Sequence, residues 1–283
     1  MDRPIKTSAD CEKEFTRIFE KLSQKYSSWV VWEDFVTVSA ASIANAIDKR
    51  PGVWHKRENE YLSVIRKYRK DEQSDLIRIF TMTVLALDIN PAQDFLGKLY
   101  MNLGLSNHWR GQFFTPWSVS GLMSEIAVGD DLKERVEKSG YISMNDPACG
   151  AGSMIVSFAN VCLEHGVNYQ QSVFFVGQDI DPVVAKMCYI QTSLIGCPGY
   201  VVIGNSITEP VGGTVLNPVY KRPENLWFTP LYFLNVWAER RAMEAAVRMI
   251  PEETVRFPVM KSLPKGKRPN VSFVKALPEG EKR

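Results

Sequence analysis

One short segment constrains the fold of this 283-residue chain more than any other feature. It lies between a predicted strand, 141–145, and an apolar helix through Val161, and it reads Asp146-Pro147-Ala148-Cys149-Gly150-Ala151-Gly152-Ser153. Glycines lack a Cβ, so the backbone turns sharply there and a ligand approaches closely. The helix start adds free N–H groups and a partial positive charge, which suit a carboxylate or a phosphate. The spacing is neither the GxGxxG of dinucleotide enzymes nor the GxxxxGK(S/T) of a P-loop.

The residues that follow repeat the same order of elements. A second strand is predicted over 173–177, a helix over 182–194, and a third strand over 200–203. Strand, glycine turn, helix and strand in this order are typical of an open parallel sheet, so we predict an α/β fold. Ligands of such sheets bind beyond the carboxyl ends of the strands, where the polar residues after each strand should gather.

The first hundred residues predict helices instead. Apolar residues recur at three-and-four spacing over 12–26, and further helices are predicted over 58–70, 74–87 and 92–103. Proline disfavours the α conformation in the residue before it, so Asn90 and Pro91 separate the last two helices. We therefore predict a helical N-terminal domain over residues 1–105.

Composition excludes some classes of protein and leaves others open. With 45% hydrophobic and 23% charged residues, the chain is not wholly disordered. A formal net charge of +2 neither demands nor forbids nucleic acid. No run approaches the roughly 18 apolar residues of a membrane span. Five cysteines without CxxC or zinc-like spacing indicate reduced thiols, so we expect a cytoplasmic protein without a structural metal.

The polar residues after the strands suit one kind of ligand. The carboxylate of Asp179 can accept both hydroxyls of a ribose, and the amide of Asn205 can meet an adenine edge. The glycine turn and helix start suit an amino-acid carboxylate. These groups together point to S-adenosylmethionine. The glycine turn and Asp179 also have structural alternatives, namely a tightly packed turn and an ordinary surface acid.

Several motifs make a family resemblance specific. Residues 146–153 resemble the DPACGSG cofactor motif of N6-adenine DNA methyltransferases, especially the modification subunits of type I restriction systems. Residues 111–116 resemble their GQFYTP segment, and 94–97 the helix that precedes it. Residues 177–182 resemble GQEIDP with Asp179 in place of Glu, and 204–207 resemble GDSL with Asn205 in place of Asp. The resemblance covers about residues 91–220, in the order of the family.

The resemblance implies a fold and a cofactor site. The fold is a Rossmann-like S-adenosylmethionine-dependent methyltransferase sheet, here reduced, over 106–250, followed by a basic tail over 251–283. The implied cofactor is S-adenosylmethionine. The implied binding residues are Phe114, Thr115, Pro116, Asp146, Ala148, Gly150, Gly152, Asp179, Ile180, Asn205 and Ser206. Phe113 and Phe114 would line one side of the cofactor, and the Thr115 hydroxyl would form a hydrogen bond with the carboxylate of the cofactor. Alternatively, the two aromatic residues fill the core, and Thr115-Pro116 begins the next helix.

The implied catalytic motif departs from the family pattern. In the family, NPP(F/Y) supplies an asparagine oxygen and a backbone carbonyl to the target amine, and its aromatic ring stacks on a flipped base. The best candidate is Asn217-Pro218-Val219-Tyr220, with Val219 replacing the second proline. The preceding strand, predicted over 212–216, is short and glycine-rich, so Asn217-Pro218 alternatively forms only a turn.

The resemblance implies transfer of a methyl group to N6 of adenine in DNA, with double-stranded DNA and a specificity subunit as expected partners. Only four or five strands are expected, with at most a weak one near 271–274, where the family's sheet usually has seven. The short C-terminal half favours an alternative: a degenerate methyltransferase-like protein that binds cofactor, DNA or a protein as a regulator or decoy. Methylation of a glutamine side chain in a protein is the third possibility.

Overall fold

The computed structural model describes residues 5–105 and 114–249. Gly111, Gln112 and Phe113, the basic tail over 251–283 and the weak strand near 271–274 lie outside the described residues. The helices are α1 (Ser8–Ser23), α2 (Ser28–Ile47), α3 (Pro51–Ile65), α4 (Lys70–Ile89), α5 (Phe95–Asn102), α6 (Trp117–Val128), α7 (Leu132–Ser139), α8 (Ser153–Glu164), α9 (Tyr169–Ser172), α10 (Pro182–Leu194) and α11 (Asn235–Met249).

The central sheet has four strands in the order β1-β2-β3-β6. These are β1 (Ile142–Asp146), β2 (Val173–Asp179), β3 (Gly199–Ile203) and β6 (Leu226–Phe228). The first three are parallel, and β6 pairs antiparallel with β3. The predicted α/β class, with a reduced parallel sheet behind a helical N-terminal region, is confirmed.

A separate hairpin carries the Asn217 segment. It pairs β4 (Gly212–Gly213) with β5 (Pro218–Val219) and is not part of the central sheet. The strand predicted over 212–216 is thus limited to two glycines, and Pro218 itself lies in the returning strand. Within residues 5–105 and 114–249, no strand pairs with the outer edge of β1.

The helical region and the sheet share a hydrophobic core that runs from Cys11 to Trp227. α10 covers β2 and β3 on one side and packs against α2 on the other. The guanidinium of Arg57, 2% exposed, bonds Asp48 at 2.8 Å and the carbonyl of Leu226 in β6 at 3.2 Å. A buried cation is stable only with such partners, so this contact ties α3 to the sheet. The domain boundary at residue 105 stays a prediction.

Helix α2 was not predicted from the sequence, because it is apolar on most of its faces and shows little amphipathic period. By length and composition it is the one helix among the described residues that could cross a membrane, yet 67% of its most apolar window is buried. Such burial is typical of a core helix.

The opposite face of the sheet has its own core. Phe174 and Tyr200 of the sheet pack there against Tyr220, Tyr232 and Trp237. Trp237 belongs to α11, which begins at Asn235. Residues 230–233 form a short 3-10 turn before it. The hairpin and α11 thus lie on the face of the sheet that α8 and α10 leave open.

Candidate functional site

The glycine turn after β1 has a backbone that only glycine adopts easily. Gly150 has φ +54° and Gly152 has φ +98°. A Cβ on Gly152 would lie 3.0 Å from the Cys188 sulfur and 3.3 Å from the Cys188 Cα. The turn therefore packs directly on α10, and α8 begins immediately after it at Ser153. The turn is thus tightly packed, with Gly152 and Ser153 buried, and no side chain caps the start of α8.

Asp179 joins the three strand ends. One carboxylate oxygen accepts the N–H of Gly150 at 2.9 Å, and the other accepts the N–H of Asp181 at 2.9 Å. Its backbone carbonyl accepts the N–H of Gly204 at 2.8 Å. The predicted convergence of the residues after β1, β2 and β3 is therefore present in the structure.

Two carboxylates of this region have perturbed acidity. Burial raises the pKa of Asp179, although the N–H groups of Asp181 and Gly150 partly oppose this effect. Burial also raises the pKa of Asp146, opposed by the N–H of Ala148 and reinforced by the charge of Asp179. A positive charge placed near these carboxylates would favour their ionised forms and so oppose the raised pKa values.

A crevice of about 180 Å³ opens at these strand ends. It is lined by Pro147, Ala148, Asp179, Ile180, Gly204, Asn205 and Ser206. Ile180 is 68% exposed and offers an apolar surface to a flat ring. Asn205 Oδ1 accepts the N–H groups of Ile207 and Thr208 at 2.9 and 3.1 Å. Because that oxygen is engaged, Nδ2 is the group of Asn205 that suits a ring nitrogen of adenine.

The segment before α6 reaches the same turn. The Phe114 ring lies next to Gly150, where an added Cβ would contact it at 3.4 Å, and it packs against Tyr100 at 5.4 Å between ring centroids. Thr115 and Pro116 are exposed at the start of α6. The structure thus brings Phe114 to the glycine turn and leaves Thr115 open to solvent.

Sequence reasoning missed Gln191, which is fully buried in α10. Its Nε2 donates to Asp94 Oδ1 and to the carbonyl of Ala151, both at 2.8 Å. Its Oε1 accepts the N–H of Leu96 at 3.0 Å. Gln191 therefore connects the start of α5 to the glycine turn. Its signal in the sequence is a lone amide within the apolar run of a core helix.

A second cavity, of about 340 Å³, adjoins the crevice. Its walls are Ser143, Asn145, Pro147, Val176, Gln178, Tyr200, Ser206 and residues 210–215. Pro147 and Ser206 line both spaces. The hairpin that carries Asn217 therefore borders a cavity next to the strand ends.

The three predicted catalytic residues differ in their placement. Asn217 is half-buried, and its Nδ2 donates to Glu244 at 2.7 Å and to the Arg241 carbonyl at 3.2 Å. Pro218 lies in β5. Tyr220 is 8% exposed within the core, with its hydroxyl donating to Glu209 at 3.1 Å. In this position the Tyr220 ring offers no open face to a base, because the core covers it.

Among the described residues, no group of three or more His, Cys, Asp or Glu side chains is arranged to hold a metal ion. The polar groups at the strand ends are carboxylate oxygens, which accept hydrogen bonds, backbone N–H groups, which donate them, and an amide, which does both. This donor set fits a cationic nucleoside with an amino-acid end, which is the chemistry of S-adenosylmethionine.

Known proteins resemble this chain over part of its length. The N-6 DNA Methylase family matches residues 92–221. The type I restriction enzyme MpnII methylase subunit of Mycoplasma pneumoniae is 33% identical over 98 residues. That alignment spans 34% of this chain and only 16% of the length of the relative.

Two solved structures align with this chain at low TM-score and low identity. A class I S-adenosylmethionine-dependent methyltransferase from Listeria monocytogenes has a TM-score of 0.40 and 15% identity, over 83% of this chain and 70% of that one. The type I restriction-modification methyltransferase subunit of Streptococcus thermophilus has a TM-score of 0.36 and 15% identity, over 72% of this chain and 60% of that one.

The family match includes α5, the glycine turn, the three parallel strands and the Asn217 hairpin. These are the same parts that carry the motif resemblance, and they follow one another in the order of the family. S-adenosylmethionine is the methyl donor of that family. Residues 92–221, a little under half of this chain, are therefore what it shares with the N-6 DNA Methylase family.

Proposed function

We propose that this chain binds S-adenosylmethionine at the ends of β1, β2 and β3 and transfers its methyl group to N6 of adenine in double-stranded DNA. One observation carries the proposal: the strand-end crevice and the cavity beside the Asn217 hairpin share Pro147 and Ser206 as walls. A cofactor in the first space and a flipped base in the second would therefore be neighbours.

The strand-end residues would hold the cofactor. Asp179 would accept the ribose hydroxyls, Ile180 would pack on the adenine, and Asn205 would donate to it. The start of α8, after Gly150 and Gly152, would receive the carboxylate, because its first N–H groups are free of helical partners. Phe114 would close one side, and Asp146, with Ala148 beside it, would favour the positive end of the ligand.

The hairpin would hold the target amine. The Asn217 oxygen and the Pro218 carbonyl would accept the two N–H bonds of N6 and favour the charge that develops there. When bound, S-adenosylmethionine would supply a methyl group from a positively charged sulfur, which would keep the electron pair of the carbon–sulfur bond. N6 would accept the methyl group and give up a proton to water. Tyr220 would support the hairpin through Glu209 and would not stack on the base.

The same proposal extends to partners and location. A specificity subunit would supply sequence recognition, as the expected partner of a type I modification subunit, and the protein would act in the cytoplasm.

Two measurements test the proposal. Calorimetry should detect S-adenosylmethionine binding to the wild-type chain. Tritiated methyl groups should enter adenine-containing duplex DNA, and the Asn217→Ala variant should lose transfer by about a hundredfold while it keeps cofactor affinity. Cofactor binding without incorporation into any duplex, with or without a specificity subunit, would contradict the enzymatic proposal and support the binding module.

A further inference from the structure

The Asn217 hairpin is fastened to α11 by one carboxylate. Glu244 Oε2 accepts the Thr214 hydroxyl at 2.6 Å and Asn217 Nδ2 at 2.7 Å. Within the hairpin, the Asn217 N–H donates to the Thr214 hydroxyl at 3.0 Å, and the Thr214 N–H donates to the Asn217 carbonyl at 3.1 Å. Glu244 thus holds both ends of this turn.

These bonds determine which way the Asn217 amide faces. An ionised carboxylate and a backbone carbonyl only accept hydrogen bonds, so both groups require the NH₂ end of the amide. With Glu244 and the Arg241 carbonyl on Nδ2, a flip of the amide would set oxygen against oxygen at both contacts. Within the part of the chain that the structure describes, Oδ1 accepts no hydrogen bond. Oδ1 is therefore the atom that the amide offers to an incoming donor.

Helix α11 is itself well anchored at the level of Glu244. The Arg241 guanidinium lies 3.9 Å from the centroid of the Tyr232 ring. Closer to the start of the helix, Trp237 Nε1 donates to the Gln170 carbonyl at 2.7 Å, and Arg240 donates to the Gly140 carbonyl at 2.7 Å. Glu244 therefore projects from a fixed support and can transmit that rigidity to the hairpin.

We propose that Glu244 is a positioning residue, which orients the Asn217 amide so that Oδ1 is presented to the target amine. This inference rests on the proposed function and deepens it. Glu244 does not touch the reacting atoms. Its removal would leave the amide free to rotate and the hairpin free to move, and misplacement of about 1 Å costs about a hundredfold in rate.

The test compares three single variants of the full chain. Glu244→Ala removes the acceptor, whereas Glu244→Gln keeps one oxygen that can accept from both Thr214 and Asn217. Glu239→Ala is the matched control, because Glu239 is an exposed glutamate on the same helix. For each protein, kcat and KM for duplex DNA, the Kd for S-adenosylmethionine, the melting temperature and the Asn side-chain NH₂ signals in an NMR spectrum are measured.

We expect Glu244→Ala to lower kcat by about ten- to a hundredfold with the cofactor Kd unchanged. The Asn217 NH₂ signals should shift in that variant, and Glu244→Gln should restore most of kcat. If Asn217→Ala lowers transfer about a hundredfold in the same assay but Glu244→Ala keeps the kcat of Glu239→Ala, the positioning role alone is overturned. Wild-type protein that binds cofactor but transfers nothing would instead overturn the proposed function on which this role rests.

Discussion

The strand-end crevice and the Asn217 hairpin are built in different ways. In the crevice, backbone N–H groups of Gly150 and Asp181 bond a single carboxylate at the end of a buried parallel strand. In the hairpin, Asn217 is held by the Arg241 carbonyl and the Glu244 side chain of a helix, 24 and 27 residues away. The crevice therefore follows from local motifs and sheet topology, whereas the hairpin depends on a long-range side-chain contact.

The largest expected effect concerns Asp179. Asp179→Ala should weaken S-adenosylmethionine binding by about a hundredfold or more, since it removes a charged acceptor of two hydroxyls, each worth about 1.5–3 kcal/mol. Asn217→Ala should leave this affinity unchanged, so calorimetry of the two variants separates the crevice from the hairpin. Asp130→Ala, at an exposed acid before α7, is the control. Equal losses in the Asp179 and Asn217 variants would mean that the two regions form one binding site.

A smaller effect is expected from the glycine turn. Gly152→Ala should lower the free energy of unfolding by about 1–3 kcal/mol, because φ is +98° and the new Cβ would press on Cys188. Gly52→Ala is the matched control: no atom lies within 4 Å of its added Cβ, and alanine favours a helix. Urea denaturation of both variants measures the difference. A Gly152 variant as stable as wild type would show that the turn can move away from α10.

A substitution of Tyr220 tests the stability of the hairpin, as Gly152→Ala tests that of the glycine turn. Tyr220→Phe removes one hydrogen bond to Glu209 and should cost about 0.5–1.5 kcal/mol, with little change in methyl transfer. Methyl transfer should change little because the Tyr220 ring is packed in the core and does not stack on the target base. A large loss of kcat with unchanged stability would indicate that Tyr220 takes part in the reaction. Denaturation and turnover measured on the same preparation decide between these outcomes.

The sequence was sufficient for the crevice because its determinants are local. Glycine turns, a strand-end acid and βαβ order predict Gly150, Asp179 and Asn205 at neighbouring strand ends, and the structure brings them together. The resemblance also identified Phe114, which lies beside Gly150. These features need no knowledge of distant residues.

The missed features depend on partners that are distant in sequence. Gln191 acts through α5 and the glycine turn, which lie 95 and 40 residues away. Glu244 looks like an ordinary exposed helix residue until the hairpin is placed against it. Tyr220 fits a catalytic pattern by spacing, but only the packing of the second core shows that its ring is covered. Burial and long-range contacts, which a single sequence does not encode in any local pattern, decide these three cases.

The smallest expected effect is a pH dependence that only the crevice should show. Burial raises the pKa values of Asp146 and Asp179 above the ordinary 3.8, so both carboxyls take up protons at a higher pH than exposed acids do. The folded chain binds these protons more tightly than the unfolded chain does, so their contribution to stability increases as pH falls through the raised pKa values. A cationic cofactor has the opposite preference, since it favours the ionised carboxylates.

Affinity for S-adenosylmethionine should therefore decrease as pH falls through the raised pKa values while the fold persists. S-adenosylhomocysteine lacks the sulfonium charge, so it should lose less affinity. Calorimetry with both ligands over a pH series measures the difference; parallel curves would show that the carboxylates do not sense the sulfonium charge and that the crevice holds the nucleoside by its neutral groups alone.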